Sequence, residues 1–474
     1  LLRNSVTPFA GEIRSMPFRT KPAVSRIILS LILGSGFVFC LAINWPGHLS
    51  YDSLMQLLEG RQGRYGNWHP AVMSWMLGIA DWAHPGAGLF TLFDQLLLFG
   101  TLSALLAFAR GRFLAAGLVA VALIALPQTV LYQAIVWKDV LFADAAVAGF
   151  AALALAARFW PRRGLRIGLI GMAVLFLVLA ALARQNGILM LLAGGVTLGL
   201  IASRLNPGFG LRYGLLALSG GVAALVLAGF ALSLRSVPGG GTGQEIAQLQ
   251  SFDLAGALAA DPNLPLAVWD KKAPGLARVM RRQAPLYYSP ARNDTLARAA
   301  DLQDALDNTA PHLITAQWLD LIRHHTGLYL KVRADVFWWT FFTPRIAACV
   351  PFVVGVEGRP SDLKALNMVR RFDGRDRALD NYATAFTGTP VFSHAAFALV
   401  GVMLFGILLW RRRAADLAMA GLIAGAFLFT LSFFVLSLAC DYRYLYVLDL
   451  AVMVCGFYLA LDGRLSDTGR DQQS

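Results

Sequence analysis

Charge is scarce in this chain: 15% of its 474 residues are Asp, Glu, Lys or Arg, against 57% that are hydrophobic. A soluble globular domain carries roughly 25% charged residues, so the composition excludes an ordinary soluble enzyme and makes a membrane the natural solvent. Cysteine is sparse as well. Cys40, Cys349, Cys440 and Cys455 have no metal-ligand spacing, and at least three lie in or beside apolar runs, so they read as small buried hydrophobes and not as a disulfide framework. Internal repeats are lacking, and the one long polar stretch has no clear strand pattern. The net charge of +13 would point to nucleic acid in a soluble protein. Here the arginines fall in short segments between apolar runs, where they set topology, so no nucleic-acid partner is expected.

What the chain has in abundance is apolar sequence in runs long enough to cross roughly 30 Å of hydrocarbon. They lie near 27–44, 88–109, 113–132, 140–158, 167–183, 187–203, 213–234, 391–410, 415–438 and 443–461. The expected fold is an all-α polytopic membrane protein with about ten transmembrane helices, seven followed by three. A mainly helical insert, 236–390, separates the two groups; it opens with the glycine-rich 238–243 stretch and is too long to be a connection. The run 27–44 reads as a retained first span, because Asn-Trp-Pro-Gly-His follows it in place of a small-residue cleavage site, and Met16 reads as the start codon. With 1–26 and the tail 462–474 in the cytoplasm, most basic residues of the short segments fall inside, among them Arg110, Arg112, Arg162, Arg163 and Arg411 to Arg413. The loop 45–87 and the insert then face outward. Two further apolar stretches, 69–83 and the aromatic-rich 334–356, are expected as a half-inserted helix and an interfacial segment on that outer face.

On this topology the polar residues that need an explanation gather in outer loops. The first loop carries Tyr51, Asp52 and Gln56, then Asn67 and His69. A carboxylate at the membrane edge can take a proton from an attacking hydroxyl or hold a divalent metal, which gives Asp52 a catalytic role with His69 assisting. Gln56, four residues on, would share the face of Asp52 on a short helix. The second loop ends in Trp137-Lys138-Asp139, wedged between two apolar spans, where a charged pair must face a polar cavity or headgroups. The third turn carries Arg184, and the last carries Tyr442, Arg443 and Tyr444. Lysine and arginine suit phosphate oxygens and tyrosine rings suit a sugar or an isoprenyl unit, so the loops together predict one outward cavity, open to lipid, for an anionic amphiphile.

Seven spans with an aspartate in a polar first outer loop, then an outer soluble region and a few more spans, resemble the GT-C superfamily of integral-membrane glycosyltransferases. The resemblance implies an inverting transfer of a sugar from a polyprenyl-phosphate donor to an extracytoplasmic acceptor (a glycan, a lipid or a protein) at the periplasmic face of a bacterial inner membrane. It gives Asp52 the acidic role and makes Lys138, Arg184 and Arg443 donor-phosphate ligands. The stretch from His324 to Arg333 is similar to an outer segment of bacterial members and adds Arg333 to the phosphate ligands and Tyr329 to the substrate contacts. A single first-loop aspartate stands where better-known members have an adjacent acidic pair, which leaves open whether a divalent metal, Mg or Mn, is needed. Two rivals stand beside this reading. One is an O-antigen ligase or polymerase using His312, Arg323, His324 and Arg333 of the insert. The other is a flippase of polyprenyl-linked sugars, which would need broken helices near the bilayer midplane.

Overall fold

The computed structural model describes residues 22–66, 69–110, 113–208, 210–234 and 244–462. The first group of helices is α1 (Pro22–Asn44), α2 (Tyr51–Gln62), α3 (Ala71–Ala83), α4 (Gly88–Leu105), α5 (Phe113–Ala125), α6 (Pro127–Val130), α7 (Lys138–Arg158), α8 (Arg163–Ala183), α9 (Ile188–Leu205) and α10 (Gly210–Ser233). The insert holds α11 (Gln244–Ala260), α12 (Trp269–Lys272), α13 (Pro274–Tyr287), α14 (Asp294–Ala297), α15 (Ala300–Asp307), α16 (Pro311–His324), α17 (Thr326–Phe342), α18 (Pro360–Ala365) and α19 (Gly374–Thr384). The chain closes with α20 (His394–Arg411), α21 (Ala414–Leu436) and α22 (Tyr446–Leu461). Among the described residues nine helices are long and apolar enough to span a membrane, and up to ten if α5 and the segment Pro127–Ala134, which meet at a 66° bend, are one broken span and not a re-entrant loop. The expected all-α multi-pass membrane protein is therefore what the chain forms.

The bend has a local cause. Pro127 cannot donate the helical hydrogen bond, and the residues after it, Gln128, Thr129, Tyr132 and Gln133, interrupt the apolar run with side chains that lipid would not solvate. All four are instead buried inside the protein.

At the centre stands α7, buried along its whole spanning length. Its Ala-rich sequence lets α4, α8, α9, α21 and α22 approach closely, as small residues do in membrane bundles. The α10 helix lies at the periphery, with only 6% of its spanning stretch buried inside the protein.

The α2 and α3 helices are too short to span and pack against each other on the insert end of the bundle, Gly60 against Gly78. A Cβ at Gly60 would lie 2.2 Å from the Ser74 carbonyl oxygen, so the contact requires glycine. The α11–α17 part of the insert has its own core around Phe252, Leu258, Trp269, Met280 and Leu321. From Val354 on, the chain rejoins the main core, and Leu49 and Val356 pair as an isolated bridge to the first loop. Within 334–356, Phe337 and Phe341 pack inward while Trp338 and Phe342 stay exposed.

One expectation fails here. Cys349 and Cys440, 91 residues apart, form a disulfide that ties the insert to the segment before α22, while Cys40 and Cys455 are free and buried.

Candidate active site

The first loop, α2 and α7 are tied together at the cavity by hydrogen bonds between segments far apart in the chain. Ser53 Oγ accepts the Ser50 N–H at 3.1 Å and donates to the Val136 carbonyl at 2.6 Å, and Trp137 Nε1 donates to Ser50 Oγ at 3.0 Å. These bonds fix the start of α2 against the start of α7, so Asp52 in the first turn of one helix comes beside Lys138 in the first turn of the other. His48 supports the same loop from behind. Its Nδ1 accepts the Gly355 N–H at 2.9 Å, leaving Nε2–H to donate to Asn44 Oδ1 at 2.8 Å. Burial and then the charge of Arg371 push the His48 ring down to about 3, so it stays neutral.

The result is a cavity of about 390 Å³ lined by Asp52, His69, Lys138, Arg184, Arg443 and Tyr444 from five segments of the chain. Gln185 and Asn186, the Phe433–Leu438 end of α21 and the first turns of α11 complete it. Arg443 Nη2 reaches Asp52 Oδ2 at 2.6 Å and Asp441 at 3.3 Å, and Arg443 Nε lies 3.8 Å from Asp139. Arg184 meets Asp139 at 2.9 Å and stacks over the Tyr444 ring at 5.0 Å. Among the described residues Lys138 has no ion-pair partner. Three cations thus face the cavity against one lining carboxylate, Asp52, while Asp139 and Asp441 stand behind the arginines and hold them in place.

Burial alone would raise the Asp52 carboxyl, but the charge and hydrogen bond of Arg443 overcome it and hold the group below the usual carboxylate range. His69 is 9% exposed, and its Nδ1 has no hydrogen-bond partner. Burial first, and then the charge of Lys138, push its ring down to about 4, so at neutral pH it is an unprotonated imidazole facing the cavity.

The other expected site residues lie elsewhere. Arg333 is fully buried in an ion pair with Asp253 and donates to the Ser437 carbonyl at 2.9 Å, so it braces the cavity wall instead of meeting a donor. Tyr329 packs on Trp318 in the insert, with ring centroids 6.1 Å apart. Tyr442 donates to Asp449 at 2.6 Å and stacks on His394, away from the lining. Tyr51 is exposed and engages Arg359. Gln56 is buried with its Nε2 unmatched, also outside the lining. Asn67 lies outside the described residues. Of the insert residues that the ligase reading relied on, Arg333 is committed as above and His324 pairs with Asp320 at 2.8 Å on the surface.

The donor set does not suit a divalent cation. Asp52 is engaged by an arginine among further cations, and no group of three His, Cys, Asp or Glu close enough to hold a metal occurs among the described residues. Sequence reasoning missed Gln248 and the apolar pair Ile246 and Leu249 of α11, which close the cavity from the insert. Comparison with protein-family models, curated proteins and solved structures finds no match to the chain.

Proposed function

We propose that this cavity transfers a sugar from a polyprenyl-phosphate donor to an acceptor hydroxyl. The observation that carries the reading is the lining itself, which combines a polar half, three cations and one carboxylate, with an apolar half, Phe433, Leu436, Leu438, Ile246 and Leu249. A phosphate joined to a hydrocarbon chain matches both halves, with Arg184 and Arg443 offering forked donors and Lys138 an uncommitted ammonium. The acceptor oxygen attacks the anomeric carbon as the bond from that carbon to the phosphate oxygen breaks. Its proton passes to Asp52, and the departing phosphate keeps its electron pair beside the three cations.

The Cys349–Cys440 disulfide supports an extracytoplasmic setting, because such bonds persist in oxidising compartments and Cys440 directly precedes Asp441. The expected bacterial inner membrane, with the cavity on its periplasmic face, fits that setting.

The test is transfer by purified protein in detergent, from a labelled polyprenyl-phosphate sugar to an added acceptor. Asp52→Asn lowers the rate by about 10²–10⁴-fold with folding unchanged; transfer near the original rate refutes the assignment. A second reading, a flippase, is favoured by the 66° break in the third span. Transfer without two compartments separates the enzyme from the flippase.

A further inference from the structure

A second polar site lies inside the bundle. Asp94 is six residues past the start of α4 and Asp144 six past the start of α7. The two helices run in the same direction, so both carboxyls sit about 9 Å below the insert end of their spans. Asp94 is 2% exposed and Asp144 is fully buried. Gln133, on the broken span, donates through Nε2 to Asp144 Oδ1 at 3.0 Å and to Tyr446 Oη at 3.1 Å, and that hydroxyl donates to the Gln128 carbonyl at 2.7 Å.

What remains is a set of oxygens without donors. Asp94 Oδ1, Asp144 Oδ2 and Gln133 Oε1 are all buried and unmatched, and Gln133 itself is 1% exposed. Gln95, next to Asp94 in sequence and fully buried, has both amide atoms unmatched. The α4 and α7 helices pack directly on one another, which brings the two carboxyls, at equal depth, close enough to interact. Among the described residues no lysine, arginine or histidine lies within ion-pair distance of either. The other titratable groups packed nearby are Tyr446 and Tyr132, and Asp449 with its partners His394 and Tyr442. His394 is already committed to Asp449 at 2.9 Å.

Two like charges in a water-poor bundle are strongly unfavourable, and unmatched acceptors there cost free energy until something positive joins them. A helix broken inside a membrane bundle, with polar side chains turned inward, is the backbone arrangement that accommodates such a partner. We propose that Asp94, Asp144 and Gln133 form an intramembrane site for one small cation of the proton or alkali-metal class. This site shares no residue with the transferase cavity and does not depend on that reading.

Thermal unfolding of the purified protein in choline chloride, with sodium, potassium or lithium chloride substituted at constant ionic strength, is measured alongside infrared spectra of the carboxyl C=O stretch. Saturable stabilisation by one alkali ion, lost in both Asp94→Asn and Asp144→Asn, identifies the metal ion. No salt response, but a protonated-carboxyl band at neutral pH that disappears in both variants, identifies a proton. If wild-type protein shows neither, the site is refuted, and that outcome needs no variant to fold. A band or salt response that survives in both variants refutes it equally. Asp52→Asn leaves both readouts unchanged, which keeps this test separate from that of sugar transfer.

Discussion

Asp52 lies in the first turn of a helix, where a carboxylate is ordinary, and its 2.6 Å contact with Arg443 from the far end of the chain is what sets it apart. The neighbouring cations differ in what their removal should do. Lys138→Met removes a charge without an ion-pair partner, so the expected outcome is a tenfold or greater loss of donor affinity with little change in melting temperature, read by lipid binding and thermal unfolding. Arg184→Gln leaves Asp139, 2% exposed, with only the 3.8 Å contact to Arg443. It should cost about 3 kcal/mol of stability as well as affinity. Equal effects of the two substitutions on stability would contradict the division between ligand and scaffold.

The two depressed histidines give stability a pH dependence whose sign follows from linkage. His48 and His69 are held neutral in the folded chain, down to about 3 and about 4, so the unfolded chain binds protons first as pH falls. Their contribution is fully present above about 6.5 and is lost progressively below it. Melting temperature should fall on acidification from pH 7 to pH 4, and less steeply in His69→Gln; an unchanged slope in that variant would show that His69 is not buried as described. At this scale the sequence singled out Asp52, His69, Lys138, Arg184 and Arg443, which line one cavity, because polar groups at the edge of apolar runs demand a partner. It did not reveal that Arg333 is committed to Asp253, some eighty residues earlier, since a tertiary partner leaves no local signal.

Among the elements, the spans were readable because each needs a run of apolar residues as long as the bilayer is thick. The break in the third was written in Leu126-Pro127 and the polar residues after it, but a run of adequate total length masks a bend. The disulfide was not readable, since two cysteines 91 residues apart carry no spacing rule. It anchors the strip on which Arg443 sits: Cys440 N–H donates to the Ala291 carbonyl at 2.9 Å, and Asp441 meets Arg292 at 3.6 Å. Cys440→Ala should lower stability by about 2–4 kcal/mol and reduce donor affinity with it. Lost stability with full affinity would show that the strip keeps its shape unaided. The contribution of α11 to the cavity was also invisible, because glutamine and leucine on a soluble helix look the same whether or not they face a ligand.

For the whole molecule, a membrane bundle fixes the depth of every group, and that depth sorts the polar residues into two layers. The upper layer is the cationic cavity at the insert end, closed by a part of the insert with its own core. The lower layer is the carboxyl pair on α4 and α7. Composition and hydropathy revealed the bundle and the end at which the polar loops gather. The division of the insert, with one part packing on itself and the rest returning to the first loop, follows from contacts between residues hundreds of positions apart, such as Leu49 with Val356.

The most direct measurement is binding of polyprenyl phosphate and of the uncharged polyprenol to the purified protein, compared in wild type and in Arg443→Gln. If the cavity recognises a lipid phosphate, wild type holds the phosphate at least tenfold more tightly than the alcohol, and Arg443→Gln loses most of that difference. Equal affinity for the two lipids, or a preference that survives the substitution, would contradict an anionic lipid in this cavity.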